Sequence, residues 1–253
     1  MIVKSWNVNG LRDDVVIHLK KLLKDNTIDI LCIQETKRKK ETIVKLLSDI
    51  TNYEFIINSH TPSQYHGILT CVRKGIKHTE VKCVLNCDTR NDNKTNDPTV
   101  GRITTIKLED HDIHLVHTYV PNAGKYHEYR IKQWDPALAE YLHKFRNVIW
   151  IGDINLAMNS IDVSHPSSMK TMAGFTQQER DSYQQLYDEK EWTDVWRYQH
   201  PDDKQYTWKN VKGMRLDNII VSRTILNKVR TSDIEREWPA KSDHTIISME
   251  LVL

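Results

Sequence analysis

Apolar positions in this chain gather into short β-rich runs bounded by Gly, Asn, Asp or Pro. They are Ile2–Trp6, Asp29–Gln34, Tyr53–Asn58, Ile68–Arg73, Glu80–Leu85, Arg102–Leu108, Ile113–Val120, Val148–Ile151, Leu216–Ser222 and Ile246–Val252. Between some of these runs the apolar spacing becomes helical: Val15, Leu19, Leu22 and Leu23; Ile43, Leu46 and Leu47; Tyr129 to Phe145 through Trp134, Leu138, Tyr141 and Leu142; and Gln177 to Leu186. Strands and helices alternate to the end, which predicts an α/β fold. The long polar stretch Asn86 to Asn96 falls between two strands and reads as a surface loop, so residues 1–253 are expected to form a single domain. No repeat with a period of roughly 20–50 residues and no low-complexity tract interrupts that reading.

Composition narrows the class. With 253 residues, 39% hydrophobic and 28% charged, the chain suits a globular protein with a sizeable core and not a mainly disordered one. No apolar run reaches the roughly 18 residues of a spanning helix. The first apolar segment has no basic lead and no h-region, so the expected compartment is intracellular, cytoplasm or nucleoid or nucleus, away from membranes. Lys and Arg (36) nearly balance Asp and Glu (34), and a formal net charge of +2 neither demands nor forbids a polyanionic partner. The four cysteines, Cys32, Cys71, Cys83 and Cys87, are too few and too irregular for a disulfide framework and read as reduced thiols. Cys83 and Cys87 have no second Cys/His pair at zinc-ligand spacing.

Chemistry concentrates where strands end, the place where open α/β sheets bind ligands. Asn7 and Asn9 follow the first strand at i and i+2 and are expected to point the same way, just before Gly10. Glu35 stands at the tip of an apolar strand. Asp153 and Asn155 follow the run Val148–Gly152, an acid and an amide at period two, suited to orienting a water beside a phosphate. Asp217 opens one late strand and Asp243-His244 opens the last. An Asp and a His at neighbouring strand starts can form an oriented pair in which the carboxylate favours the charged imidazole.

Taken together, these segments resemble a known family. Trp6-Asn7-Val8-Asn9-Gly10-Leu11-Arg12, Ile33-Gln34-Glu35-Thr36-Lys37, Tyr119-Val120-Pro121-Asn122-Ala123-Gly124, Gly152-Asp153-Ile154-Asn155, Ala173-Gly174-Phe175-Thr176 with Glu179-Arg180, Arg215-Leu216-Asp217 and Ser242-Asp243-His244 look like the exonuclease III family of apurinic/apyrimidinic endonucleases, in the family's order and over almost the whole chain. The resemblance implies a four-layered α/β sandwich of the DNase I-like kind, with two mixed β-sheets packed face to face and helices outside. It implies divalent-metal-dependent hydrolysis of the phosphodiester 5′ to an abasic site in double-stranded DNA, with 3′-phosphodiesterase and 3′→5′ exonuclease activities as further expectations. By the same match, Glu35 with Asn9 holds Mg²⁺ (Mn²⁺ as the alternative), and Asp243 contributes to a second or shifted metal position. Asp153 orients or deprotonates the attacking water, while Asn155 and Asn7 hold the water and the phosphate oxygens. His244, paired with Asp217, contacts a non-bridging oxygen, and Tyr119 touches the same phosphate or assists the leaving group. Trp208, Met214 and Leu216 are expected to line an apolar pocket for a flipped-out sugar, with Asn122 and Lys125 toward the duplex. A monomer is expected.

This chain also departs from the family's pattern. Met169-Lys170-Thr171-Met172 precedes Ala173 where relatives carry polar DNA-backbone contacts, and only Lys209 to Met214 separates Trp208 from Arg215 where relatives have a longer basic and aromatic loop. The competing readings are a nonspecific DNase, a retroelement-type endonuclease or an inositol-phosphate phosphatase on the same fold, and a DNA-binding relative without catalysis.

Overall fold

The computed structural model describes residues 1–60, 65–89, 95–190, 192–209, 212–239 and 241–253. Its strands are β1 (Ile2–Asn7), β2 (Ile30–Gln34), β3 (Tyr53–Asn58), β4 (Ile68–Arg73), β5 (His78–Glu80), β6 (Ile103–Leu108), β7 (Ile113–Tyr119), β8 (Val148–Asp153), β9 (Trp192–Asp194), β10 (Trp208–Lys209), β11 (Gly213–Met214), β12 (Asp217–Ser222), β13 (Val229–Ile234) and β14 (Ile247–Leu251). One sheet runs β13-β14-β1-β2-β4-β3, the other β5-β6-β7-β8-β12-β9, and β10-β11 form a separate hairpin. Both large sheets are mixed, since β1–β2 and β7–β8 pair parallel and their other neighbours antiparallel.

Strand alternation divides the apolar residues into three layers. Val3, Ile30 and Met249 of the first sheet meet Leu115, Ile149, Ile151 and Ile219 of the second in the layer between the sheets. On the outer face of the first sheet, Trp6, Leu31 and Ile33 pack under Val15, Leu19 and Leu23 of the helix Asp13–Lys24 and Ile43 of the helix Lys40–Leu46. On the other side, Val116, Val148 and Trp150 pack under Leu138, Tyr141 and Leu142 of the helix Asp135–Leu142, with Tyr183 of the helix Gln177–Lys190 beside them. Helix, sheet, sheet, helix is the four-layered sandwich expected from the sequence.

The same alternation delivers the site. Inward positions on β1 run Val3, Ser5, Asn7; on β2, Ile30, Cys32, Gln34; on β7, Leu115, His117, Tyr119; on β8, Ile149, Ile151, Asp153; and on β12, Val221, Ile219, Asp217. Each row is apolar at one end and polar at the other, so the layer between the sheets turns from core into site along its length. A buried polar seam marks the change. Gln34 Nε2 donates to Ser5 Oγ at 2.9 Å and meets His117 Nε2 at 2.6 Å, while His117 Nδ1 lies 2.9 Å from Thr70 Oγ1. Complete burial pushes the His117 pKa down to about 3, so this histidine links the sheets as a neutral group.

Several sequence expectations are corrected. The run Glu80–Leu85 leaves the sheet after β5, because Cys83 and Leu85 pack instead on the outer apolar layer of the second sheet. Tyr129 to Phe145 is not one α-helix: residues Arg130–Trp134 form a π-helical turn before the helix Asp135–Leu142. Pro136 has no amide hydrogen to give the preceding turn, which accounts for the break. β9, β10, β11 and β13 were not expected; β13 reads Val-Arg-Thr-Ser-Asp-Ile, polar because it is an edge strand. Of the polar stretch Asn86 to Asn96, residues 90–94 lie outside the described residues, as do residues 210 and 211 of the short Lys209 to Met214 segment. No helix among the described residues is long and apolar enough to cross a membrane.

Candidate active site

Two matching turns open the site. Asn9 N donates to Asn7 Oδ1 at 3.0 Å and Asn155 N to Asp153 Oδ1 at 2.9 Å, each closing the chain over a strand end. Asn9 (φ 47°) and Asn155 (φ 52°) sit in the left-handed region, which asparagine tolerates better than most residues. This corrects the period-two expectation. The strand stops at the first residue of each pair, so the two side chains diverge: Asn7 turns inward between the sheets, while Asn9 Nδ2 donates to Asp243 Oδ1 at 3.0 Å. Gly152 is required just before Asp153. Its φ is 138°, and a Cβ there would lie 2.0 Å from the Thr118 carbonyl oxygen.

Asn7, fully buried, joins the two acids predicted for different roles. Its Nδ2 donates to Glu35 Oε1 at 2.9 Å and to Asp153 Oδ2 at 2.8 Å. His244 faces Asp153 from the other side, with Nδ1 donating to Asp217 Oδ2 at 2.7 Å and Nε2 3.9 Å from Asp153 Oδ2. Burial alone would lower the His244 pKa, but the Asp217 carboxylate and its hydrogen bond outweigh burial and raise it to about 10. Burial, then the neighbouring Asp217, push Asp153 above the usual carboxylate range against the pull of His244 and Asn7. A carboxyl raised toward neutrality beside a fixed imidazolium can accept a proton from water while the cation attracts phosphate. Burial and the Glu35 charge raise the Tyr119 phenol, which stays protonated as a donor.

Removing the Asp217 charge tests this pair. In wild type the raised His244 pKa stabilises the fold fully below the ordinary 6.5, and that contribution is lost as pH rises through about 10. In Asp217→Asn, burial is left without its main opponent, so the His244 ring should titrate at or below its ordinary pKa in an NMR pH titration. Activity at pH 8 should fall about 10²-fold with the loss of the charged donor. An unmoved His244 titration would refute the pairing.

Glu35, φ 54°, is half-buried, and the Lys37 charge and hydrogen bond and the Asn7 hydrogen bond overcome desolvation and hold its pKa below the usual range. Lys37 Nζ lies 2.7 Å from Glu35 Oε2 and 2.7 Å from Asn9 Oδ1. A cationic nitrogen therefore occupies the space between the two oxygens expected to hold a metal, and hard oxygen donors of this kind fit Mg²⁺. The ligand atoms of Asp153, Asp217 and His244 also lie within 4.8 Å of one another. An imidazole protonated and bonded through Nδ1 to Asp217 offers a metal no lone pair, so His244 would not complete a three-ligand site with Asp153 and Asp217.

Other predicted residues are placed as follows. Asn155 Nδ2 donates to the Val120 carbonyl at 2.9 Å, and Asn122 Nδ2 donates to Asn155 Oδ1 at 3.1 Å. Trp208 Nε1 donates to Asp243 Oδ2 at 3.0 Å, tying the apolar residues to the acidic ones. Met214 and Leu216 are buried with Phe175 and Met169, and Trp208 packs against that cluster. Lys125 is exposed, its ammonium 4.9 Å from the Tyr126 ring centroid and not on the acidic cluster.

Several supporting residues escaped the sequence reading. Buried Arg130 donates to the Pro121 carbonyl at 2.7 Å and the Ile154 carbonyl at 2.9 Å, and its Nε to Asp135 Oδ1 at 2.7 Å, fixing the loops that carry Asn122 and Asn155. Thr207 Oγ1 accepts from the Leu216 and Asp217 amides at 2.9 Å each, setting the start of β12. Arg215 anchors the same start through Asp162 and Asp194. Arg102 donates to the Tyr119 carbonyl at 3.1 Å. A Thr176-x-x-Glu179 capping box is a local signal: Glu179 accepts from Thr176 N at 3.1 Å and also from Gly174 N at 3.0 Å, and Asn159-x-x-Asp162 forms a second such box.

Comparison with known proteins identifies the family and the fold. The profile described as "Endonuclease/Exonuclease/phosphatase family" matches residues 5–244. A DNA-(apurinic or apyrimidinic site) endonuclease of Dictyostelium discoideum is 31% identical over 266 residues, spanning 98% of this chain and 70% of that protein. An exodeoxyribonuclease of Bacillus subtilis is 28% identical over 261 residues, spanning 97% of each. The fold is shared with an AP endonuclease of Leishmania major (TM-score 0.84, 24% identity, 98% of this chain and 86% of that one) and one of Archaeoglobus fulgidus (TM-score 0.82, 22% identity, 100% of both). By a match that runs from the first strand to the terminal histidine motif, the chain belongs to the endonuclease/exonuclease/phosphatase family.

Proposed function

We propose that this protein is a DNA repair endonuclease that hydrolyses the phosphodiester 5′ to an abasic site in duplex DNA, as a monomer and with Mg²⁺. The observation that carries the reading is the juxtaposition of Asp153, raised in pKa, with the His244–Asp217 pair across 3.9 Å. Asp153 takes a proton from the water that attacks phosphorus, Asn155 holds that water or a phosphate oxygen through its remaining Nδ2 hydrogen, and Asn7, both of whose Nδ2 hydrogens are engaged, keeps Asp153 and Glu35 in place. His244 donates to a non-bridging oxygen as charge builds there. The bond from phosphorus to the 3′ oxygen of the upstream nucleotide breaks, leaving a 3′-hydroxyl and a 5′-deoxyribose phosphate, and protonated Tyr119 hydrogen-bonds oxygen on the departing side. Glu35 and Asn9 would hold the metal, which when bound supplies Lewis-acid stabilisation of phosphoryl and leaving-group charge. The cluster of Trp208, Met214 and Leu216 beside Asp243 supports an apolar seat for the extruded sugar.

The test is a labelled duplex with one tetrahydrofuran abasic analogue and an intact control, each with Mg²⁺ or EDTA. A single Mg²⁺-dependent nick immediately 5′ to the analogue, with the control spared, is expected. Equal cutting of both duplexes would replace the reading with a nonspecific DNase. Stepwise shortening from the 3′ end would add an exodeoxyribonuclease activity, the kind for which the Bacillus subtilis relative is named.

A further inference from the structure

The β10–β11 hairpin presents a second face. Trp208 and Lys209 are successive strand residues and project to opposite sides. Trp208 turns to Asp243, whereas Lys209 lines a pocket of about 390 Å³ with Lys204, Tyr206, Glu235, Arg236 and Trp238. The pocket adjoins the site through the backbone, since Lys209 N donates to the Asp243 carbonyl at 2.9 Å. Gly213 shapes its floor: the Tyr206 ring lies so close that a Cβ on Gly213 would meet Cδ2 at 2.5 Å. Lys209 Nζ is 5.9 Å from the centre of the half-exposed Trp238 ring. Among the described residues Glu235 is the one acid lining this pocket, and it is neutralised by Lys4 at 2.7 Å, which leaves the cations to set the local charge.

We propose that this pocket binds an unpaired nucleotide of the DNA strand leaving the active site, with the base on Trp238 and the phosphate on Lys209 and Arg236. An aromatic face flanked by cations is the chemistry by which proteins hold single-stranded nucleic acid. The volume suits a single small ligand, and Lys209 directly follows Trp208 in β10, so a strand that passes Trp208 comes within a nucleotide's length of the pocket. None of the site residues assigned above lines this pocket. The inference rests on the nuclease reading.

The experiment uses the full chain in EDTA with a fluorescent oligothymidylate of about eight nucleotides. Trp238→Ala should weaken binding about tenfold, the loss of one base stacked on an aromatic ring. Trp238→Phe should bind within about threefold of wild type, because the stacking face is kept. On the unaltered protein, photocrosslinking of a 5-iodouracil oligonucleotide should map to the segment around Trp238. Wild-type affinity in Trp238→Ala, or crosslinks that avoid this segment, would overturn the proposal. So would equal competition by polyglutamate, which would make the pocket an acidic-peptide site. Nicking of the tetrahydrofuran duplex with Mg²⁺ is read separately. Trp238→Ala should retain it, and a wild-type protein that failed to nick would sink the nuclease reading without deciding the pocket.

Discussion

An Asp153→Asn protein is expected to bind the tetrahydrofuran duplex with wild-type affinity and to cleave it about 10²–10⁴-fold more slowly. The substitution is nearly isosteric, and the carbonyl oxygen can still accept from Asn155 N, so the turn after β8 keeps its hydrogen bond. What disappears is the proton acceptor. The new amide nitrogen also faces the Asn7 amide donor and the His244 cation, where Asp153 Oδ2 formerly lay 2.8 Å from Asn7 Nδ2. In the proposed mechanism Asp153 is the general base, because burial and Asp217 raise its pKa toward the working pH, the condition under which a general base is effective. Single-turnover cleavage at saturating protein separates the chemical step from binding. A wild-type rate there would remove Asp153 from the role of base.

The location of the site was legible because it follows from strand period. Once β1, β2, β8 and β12 are recognised as strands, the polar residue at the inward end of each must lie where the two sheets open. Asn7, Asp153 and Asp217 can be placed from that rule, whereas His244 precedes β14, which starts at Ile247, and meets Asp217 across the two sheets rather than from a neighbouring strand. The local turn was not legible. Asn9 and Asn155 both leave the strand in left-handed backbone, and the sequence pattern gives no sign that each side chain diverges from its partner two residues before. Arg130 escaped for a different reason. A buried arginine is recognised only through its partners, and Pro121, Ile154 and Asp135 come from separate parts of the chain. β13 escaped because an edge strand shows solvent one face and breaks the apolar pattern that marks the inner strands. Lys37 closes the Ile33–Lys37 motif, but nothing in that pattern shows that its side chain turns into the site to pair with Glu35.

That ion pair sets the second large expectation, a Glu35→Gln protein whose cleavage at fixed Mg²⁺ falls by at least about 10²-fold, equivalent to several kcal/mol of charge stabilisation. Glu35 stays ionised although it is half-buried, because Lys37 and Asn7 offset the cost of burial. Only an ionised carboxylate brings net negative charge to the space between Glu35 and Asn9, and Lys37 shows that this space accepts a cation 2.7 Å from both side chains. Gln keeps the shape and the acceptor toward Asn7 but removes that charge, so the affinity for a small divalent ion should fall while the fold persists. Cleavage rate measured against Mg²⁺ concentration distinguishes the causes. A curve shifted to much higher Mg²⁺, with an unchanged thermal melting profile in EDTA, identifies Glu35 as a metal ligand. An unshifted curve with the same melting profile would leave Glu35 as a structural partner of Lys37 and move the metal to Asp243, the remaining carboxylate within reach of Asn9.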